Sequence, residues 1–149
     1  MQPADVPRCF EVRTATVENA LTMAQLEAWY GLTPESGAAA LCETCRGWVY
    51  EIDDVIVGFA QGDSTRGELT VIAVLPGYEG QGIGYRLLDT VTRWLLQQGC
   101  AEPWLMTADN PGFRAYGFYQ SQGWQATDEK SGDEVKFVYT GQRPGRATP

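Results

Sequence analysis

Residues 71–88 read VIAVLPGYEGQGIGYRLL. The run begins inside ELTVIAVL, residues 68–75, where apolar side chains are nearly continuous. That is the pattern of a central strand covered on both faces. Pro76 and Gly77 stop it. Beyond them the spacing becomes helical: Ile83, Leu87, Leu88, Val91 and Leu95 share one face, and Gly99 closes the helix. Between strand and helix stand Gly80, Gly82 and Gly84. Glycine admits backbone dihedrals closed to other residues and removes side chains that would keep a ligand away. The first amides of a helix have no intrahelical acceptor. With the helix dipole they form an anion site suited to a pyrophosphate.

Two common phosphate loops fit this stretch badly. The ATP-type loop needs a lysine after its last glycine, and Tyr85 stands there. The dinucleotide fingerprint, counted from Gly80, would also need a glycine at Tyr85. It belongs, moreover, to a first βαβ unit, whereas this loop follows several strands.

Outward from the loop, CFEVR (residues 9–13) alternates and predicts a first strand. A helix follows over 17–29, with Thr16 as its N-cap, Ala20, Leu21, Ala24 and Ala28 at helical spacing, and Gly31 at its end. Pro34 opens a second helix that carries 38–41 and a C-x-x-C, Cys42 and Cys45. WVYEI (48–52) and VIVGFAQ (55–61) form a hairpin across Asp53-Asp54. Residues 104–107 are a short strand, 113–122 a helix opened by Asn110-Pro111-Gly112, and 124–127 with 135–140 a last hairpin across a polar turn. Residues 141–149 read as a loose tail. With no repeat and no linker, the chain reads as one domain, 1–149, with a core over about 9–140. The fold class is α/β in the α+β sense: a mixed, mostly antiparallel sheet of about seven strands, with about four helices packed on both faces.

The 149 residues are 44% apolar and include five Trp, seven Tyr and five Phe, enough for a core without staples. Eleven basic and nineteen acidic residues give a net charge of −8. Nucleic-acid partners are disfavoured by that balance, and a cationic amine is favoured through long-range steering. No apolar run is long enough to span a membrane, and residues 1–8 lack the apolar stretch of a secretory signal. The expected location is the cytoplasm. The chain has no histidine, so a Ser-His-Asp or Cys-His mechanism is excluded and any acid or base is Glu, Asp, Tyr, Lys or Cys. The cysteines are Cys9, Cys42, Cys45 and Cys100. Cys42 and Cys45 lack two further ligands for zinc, which leaves a redox dithiol or two small helical residues; no metal is expected.

The segment resembles the GNAT superfamily of N-acetyltransferases, whose signature is Arg/Gln-x-x-Gly-x-Gly/Ala between the fourth strand and a helix; here its glycines are Gly82 and Gly84. FYQSQGW, residues 118–124, is similar to a second family motif near the end of the last helix. The resemblance covers roughly residues 48–139. It implies a fold holding acetyl-CoA as co-substrate, with no metal, and direct transfer of acetyl to a primary amine in a ternary complex. The acceptor would be a small molecule or a peptide, with neither nucleic acid nor membrane as partner. Superfamily members are often dimers, so a homodimer is implied as well.

By the same resemblance, Gly80, Gln81, Gly82, Ile83, Gly84 and Tyr85 hold the diphosphate through their amides. Ile72, Ala73 and Val74 offer backbone groups to pantetheine, and the Val74 N–H polarises the thioester carbonyl. Tyr119 matches the tyrosine that protonates the CoA sulfur; packing on the sheet is its other reading, and Tyr116 is its rival on the same helix. Glu68 matches the general base of the histone-acetylating branch, with a solvated strand end as the alternative. Another branch places a glutamate where this chain has Leu105, so that mechanism does not carry over. Asn110 sits where the family has an Asn facing the cofactor, or makes an Asx turn before Pro111. Glu79 departs from the pattern: a carboxylate stands at the Arg/Gln position. Either it points to solvent and leaves binding to the amides, with Gln81 and Arg86 nearby, or CoA affinity is weakened. The acceptor would meet residues 29–35. A non-catalytic acyl-CoA-binding domain of the same fold is the competing reading.

Overall fold

The computed structural model describes residues 1–15, 23–25 and 45–141. Of the expected helix over 17–29 only residues 23–25 are described, and they are helical; the start of the helix from Pro34, Cys42, the acceptor wall at 29–35 and the tail beyond 141 lie outside the described residues.

The six strands are β1 (Cys45–Ile52), β2 (Val55–Asp63), β3 (Glu68–Val74), β4 (Trp104–Ala108), β5 (Trp124–Ser131) and β6 (Glu134–Tyr139). They form one sheet in the order β1-β2-β3-β4-β6-β5. Every pairing is antiparallel except β3 with β4. Helices α1 (Val6–Thr14), α2 (Ile83–Gln97) and α3 (Arg114–Ser121) pack on it. No helix among the described residues is long and apolar enough to cross a membrane.

Residues 9–13 are not a strand; they lie inside α1. Pro7 occupies the first turn, where its missing N–H costs nothing. Val6, Cys9 and Val12 recur every third residue and are the buried positions. The short alternation of CFEVR is compatible with either period, and burial against β2 and β3 decides for the helix. The sheet therefore has six described strands, not about seven. Cys45 also departs from its expected helix: it opens β1, paired with Asp63, because the long β2 extends the ladder past Trp48. The last hairpin is longer than its reading. β5 runs to Ser131 through the polar QATDEKS, which an edge strand tolerates on its outer side.

Two cores flank the sheet. Cys9 and Val12 of α1 pack on Ile56, Phe59 and Ala73. On the other face Leu87, Leu88, Val91 and Leu95 of α2 join Val57, Ala60, Leu69, Leu105, Trp124 and Phe137. Strand glycines set how closely α2 lies. A Cβ on Gly58 would stand 3.1 Å from Ile83 Cγ2, 3.2 Å from Leu87 Cδ1 and 3.3 Å from the Ala73 carbonyl. One on Gly62 would meet Val91 and Trp94 at 3.0 and 3.2 Å. Gly58→Val should therefore lift the first turn of α2 and cost about 1–3 kcal/mol in overpacking. A denaturant midpoint equal to that of the parent protein would show that α2 is not seated there.

Candidate acyl-donor site

The parallel ladder between β3 and β4 holds at a single register pair, Glu68 with Trp104. Beyond it the strands diverge. β3 stays bonded to β2, and β4 to β6, so each presents one open edge to a gap that widens toward Val74 and Ala108. Leu75 N–H donates to the Val57 carbonyl at 2.8 Å. Strand alternation then turns the amides of Leu75 and Ala73 toward β2, and those of Val74 and Ile72 toward the gap. Of the three residues expected to offer amides, the structure thus brings Ile72 and Val74 to the gap and commits Ala73 to the ladder.

The glycine loop lies at the open end. Gly82 is the N-cap of α2 with φ +81°, and no side chain caps the helix. Gly80 has φ +79°. These left-handed positions exclude most L residues without strain. A Cβ at either would meet nothing within 4 Å, so the cradle opens to solvent. None of the amides of residues 79–85 donates to another backbone group among the described residues. Arg86 is the first amide of the helix that does, to Gly82 at 3.1 Å. Gln81 and Tyr85 are exposed around this row, whereas Ile83 is buried and offers only its amide. A Cβ on Gly84 would stand 3.6 Å from Phe118, an ordinary contact distance, so α3 packs beside the loop here without requiring a glycine.

Glu79 does not simply point to solvent. Its carboxylate accepts from the Arg114 guanidinium at the start of α3, and the two form an ion pair. Both ends remain accessible, the Glu79 side chain at 40% and Arg114 at 69%. The negative charge that departs from the family pattern is therefore neutralised from another element. Asn110 Oδ1 accepts from the Gly112 amide at 2.9 Å, the Asx-turn geometry.

Tyr119 is buried on α3 against Phe118, Trp124 and Phe137, with ring centroids 5.6, 6.4 and 5.9 Å away. Burial pushes its phenol well above the usual tyrosine range, and the Arg13 charge at the end of α1 draws it partly back. No described side chain hydrogen-bonds its hydroxyl, yet no fully buried side-chain oxygen lacks a partner. Its rival Tyr116 stacks edge-on against Phe137 at 4.9 Å.

Glu68 sits at the closed end of the gap. Its side chain is 15% exposed and lies 3.8 Å from Arg66. Burial raises its carboxyl above the ordinary value, Arg66 opposes, and Asp63 and Glu134 add to the rise. Val74 lies six positions beyond Glu68, roughly 20 Å along a strand. Leu105, where one branch of the superfamily has its glutamate, is sealed in the core.

Sequence reasoning missed a second carboxylate. Val135 and Phe137 of β6 face the α2 core, so Glu134 faces the α1 side. It pairs with Ala108, at the open end of the gap. Burial raises its carboxyl, and Arg13 opposes. Among the described residues no ion pair holds it. Arg13 thus acts on both Tyr119 and Glu134, groups from α3 and β6. Only the alternation of DEVKFVY signals which way Glu134 faces; its position along the gap depends on the pairing of β6 with β4.

Cys9 is buried, and its thiol is pushed up to about 12, chiefly by desolvation, so it is an inert core residue at neutral pH.

Known proteins resemble this chain in sequence or share its fold. An uncharacterized N-acetyltransferase, ycf52-like, of Prochlorococcus marinus is 38% identical over 87 residues, which cover 56% of this chain and 45% of that relative. The match thus spans under half of the relative's length. Among solved structures, the PaiA N-acetyltransferase of Thermoplasma acidophilum in complex with coenzyme A superposes with a TM-score of 0.79 at 17% identity, covering 93% of this chain and 94% of that one. The ribosomal-protein-S18-alanine N-acetyltransferase of Escherichia coli gives 0.72 at 19% identity, covering 100% and 96%. At such identities the likeness shows the mixed α/β fold. The model of the acetyltransferase (GNAT) family matches residues 13–124, well over half of the sequence, and the chain belongs to that family.

Proposed function

We propose that this protein is an N-acetyltransferase that moves acetyl from acetyl-CoA to a primary amine by direct attack in a ternary complex. The observation that carries the reading is the row of amides over residues 79–85, without a backbone acceptor among the described residues, at the open end of a split sheet. Those amides suit a diphosphate, and the gap beside Ile72 and Val74 suits an extended pantetheine arm. The fit is of main chain to ligand, so it does not need the Arg or Gln that this chain lacks.

The chemistry makes three demands. A lysine-like amine must lose its proton, which at pH 7 costs roughly 4.6 kcal/mol. The oxyanion needs donors, and the leaving thiolate needs a proton. The Val74 amide is turned into the gap to serve the second demand. Tyr119 serves the third. For the first, Glu68 and Glu134 share the α1 side of the sheet. Glu68 would act only through intervening water, because it lies at the closed end. Glu134 lies at the same end as Val74 and is the better placed general base. Asn110, held in its turn, keeps the loop before α3 in shape.

Both carboxyls titrate above their ordinary value of 4.5 in the folded chain. A raised folded pKa means the native state holds the proton more tightly than the unfolded chain. The associated stability is therefore present at low pH and is lost as pH rises through the folded value. Glu134→Gln should then raise the melting temperature at pH 7 relative to the parent and leave it nearly unchanged at pH 4. The same change should lower transfer to an amine by about 100-fold. A lower melting temperature at pH 7 would contradict the burial argument.

Thiol release from acetyl-CoA with a broad panel of amines tests the activity. Release with at least one amine, absent without it, is the expected result. CoA binding without release for every amine would favour a non-catalytic acyl-CoA-binding domain. The Arg114 cation paired with Glu79 beside the loop weakens the main argument for that alternative.

A further inference from the structure

We infer that Arg114 is the diphosphate-binding cation of this protein, supplied from α3 in place of the side chain the glycine loop lacks, and that Glu79 holds it over the cradle until the ligand arrives. The inference rests on the reading of the loop as a CoA site and deepens it.

The loop motif calls for Arg or Gln at the position of Glu79, where a side-chain donor would supplement the amides. A carboxylate there opposes an incoming diphosphate. Arg114, 35 residues further along the chain, is ion-paired to that carboxylate. The contact closes the loop onto the first turn of α3, beside the open amides of residues 80–85. Neither side chain is sealed, so each is accessible to a new partner. Guanidinium is suited to the exchange, because its planar fork matches phosphate oxygens as well as carboxylate ones. When the diphosphate occupies the amides, its charge attracts Arg114 and repels Glu79. Arg114 turns from carboxylate to phosphate, and Glu79 swings out to water. In the free protein Glu79 keeps the cation in place and competes with the ligand for it, so affinity is set by the difference between the two contacts.

This exchange makes the two partners of one ion pair act with opposite signs, which a merely structural bond cannot do. Calorimetry with CoA on the intact chain reads the difference. Arg114→Gln should weaken CoA binding by about tenfold or more, since it removes a charge-assisted contact and leaves Glu79 facing the phosphates. Glu79→Gln should tighten it by about threefold, by removing the competitor. The combined Glu79→Arg, Arg114→Gln protein carries its cation where the family motif has one, and should recover the parent affinity. If Glu79→Gln and Arg114→Gln both weaken binding to a similar extent, the pair is only a brace between loop and helix and the inference falls. If all variants bind CoA as the parent does, Arg114 does not reach the ligand and the inference falls equally. A parent protein that binds no CoA would instead overturn the reading of the site itself.

Discussion

Replacing Tyr119 with Phe should lower the rate of acetyl transfer by about 100-fold or more, within the range for loss of a general acid, while leaving CoA affinity within about twofold. The substitution removes one oxygen and keeps the ring. Contacts with Phe118, Trp124 and Phe137 are ring contacts, so the core and the seat of α3 are preserved. Only the proton donor is lost. Burial holds that proton on the phenol at every working pH, and the Arg13 charge favours the phenolate left once it has been given up. Steady-state kinetics with the best amine of the panel, beside CoA calorimetry, separates rate from binding. An unchanged rate would remove Tyr119 from the reaction and turn attention to Tyr116 on the preceding turn of α3. A rate and an affinity that fall together would mean that the hydroxyl shapes the site without donating to the sulfur.

Gly82→Val should weaken CoA binding by about 10- to 100-fold. A left-handed conformation costs a side-chain-bearing residue about 1–2 kcal/mol, more when it is β-branched, so the chain would relax the N-cap and re-aim the amides behind it. Strain alone would also lower stability, and a second glycine controls for it. Gly99 has φ +91° at the other end of α2, with nothing within 4 Å of its would-be Cβ. Gly99→Val carries similar strain on the same helix, far from the loop. The account expects both variants to melt lower and only Gly82→Val to lose CoA. Equal CoA binding by the two would show that the loop does not hold the ligand.

The elements built on long, single-period stretches were legible in the sequence. ELTVIAVL and the helix after the loop carry clear patterns, and both formed as read. The first segment was misread because five residues cannot separate two periods, and Pro7 and Val6, the better signals, lay just upstream. The end of β5 was misplaced because an exposed edge strand needs no apolar alternation. In the site, the amide row followed from glycine positions alone, since backbone geometry is local. The split between β3 and β4, the Glu79–Arg114 pair and the placement of Glu134 could not be read, because each joins residues far apart in sequence. Glu68 shows the converse. Its spacing from the loop fits a family role, while the strand carries it roughly 20 Å from Val74, so a role for it would run through water.

Calorimetric titration of the purified chain with CoA tests the central claim most directly. The account predicts saturable one-to-one binding, with a dissociation constant below about 1 mM, or roughly 4.1 kcal/mol, that weakens as salt is added. No heat of binding at millimolar CoA would contradict it and remove the roles given to Tyr119, Glu134 and Glu68 together.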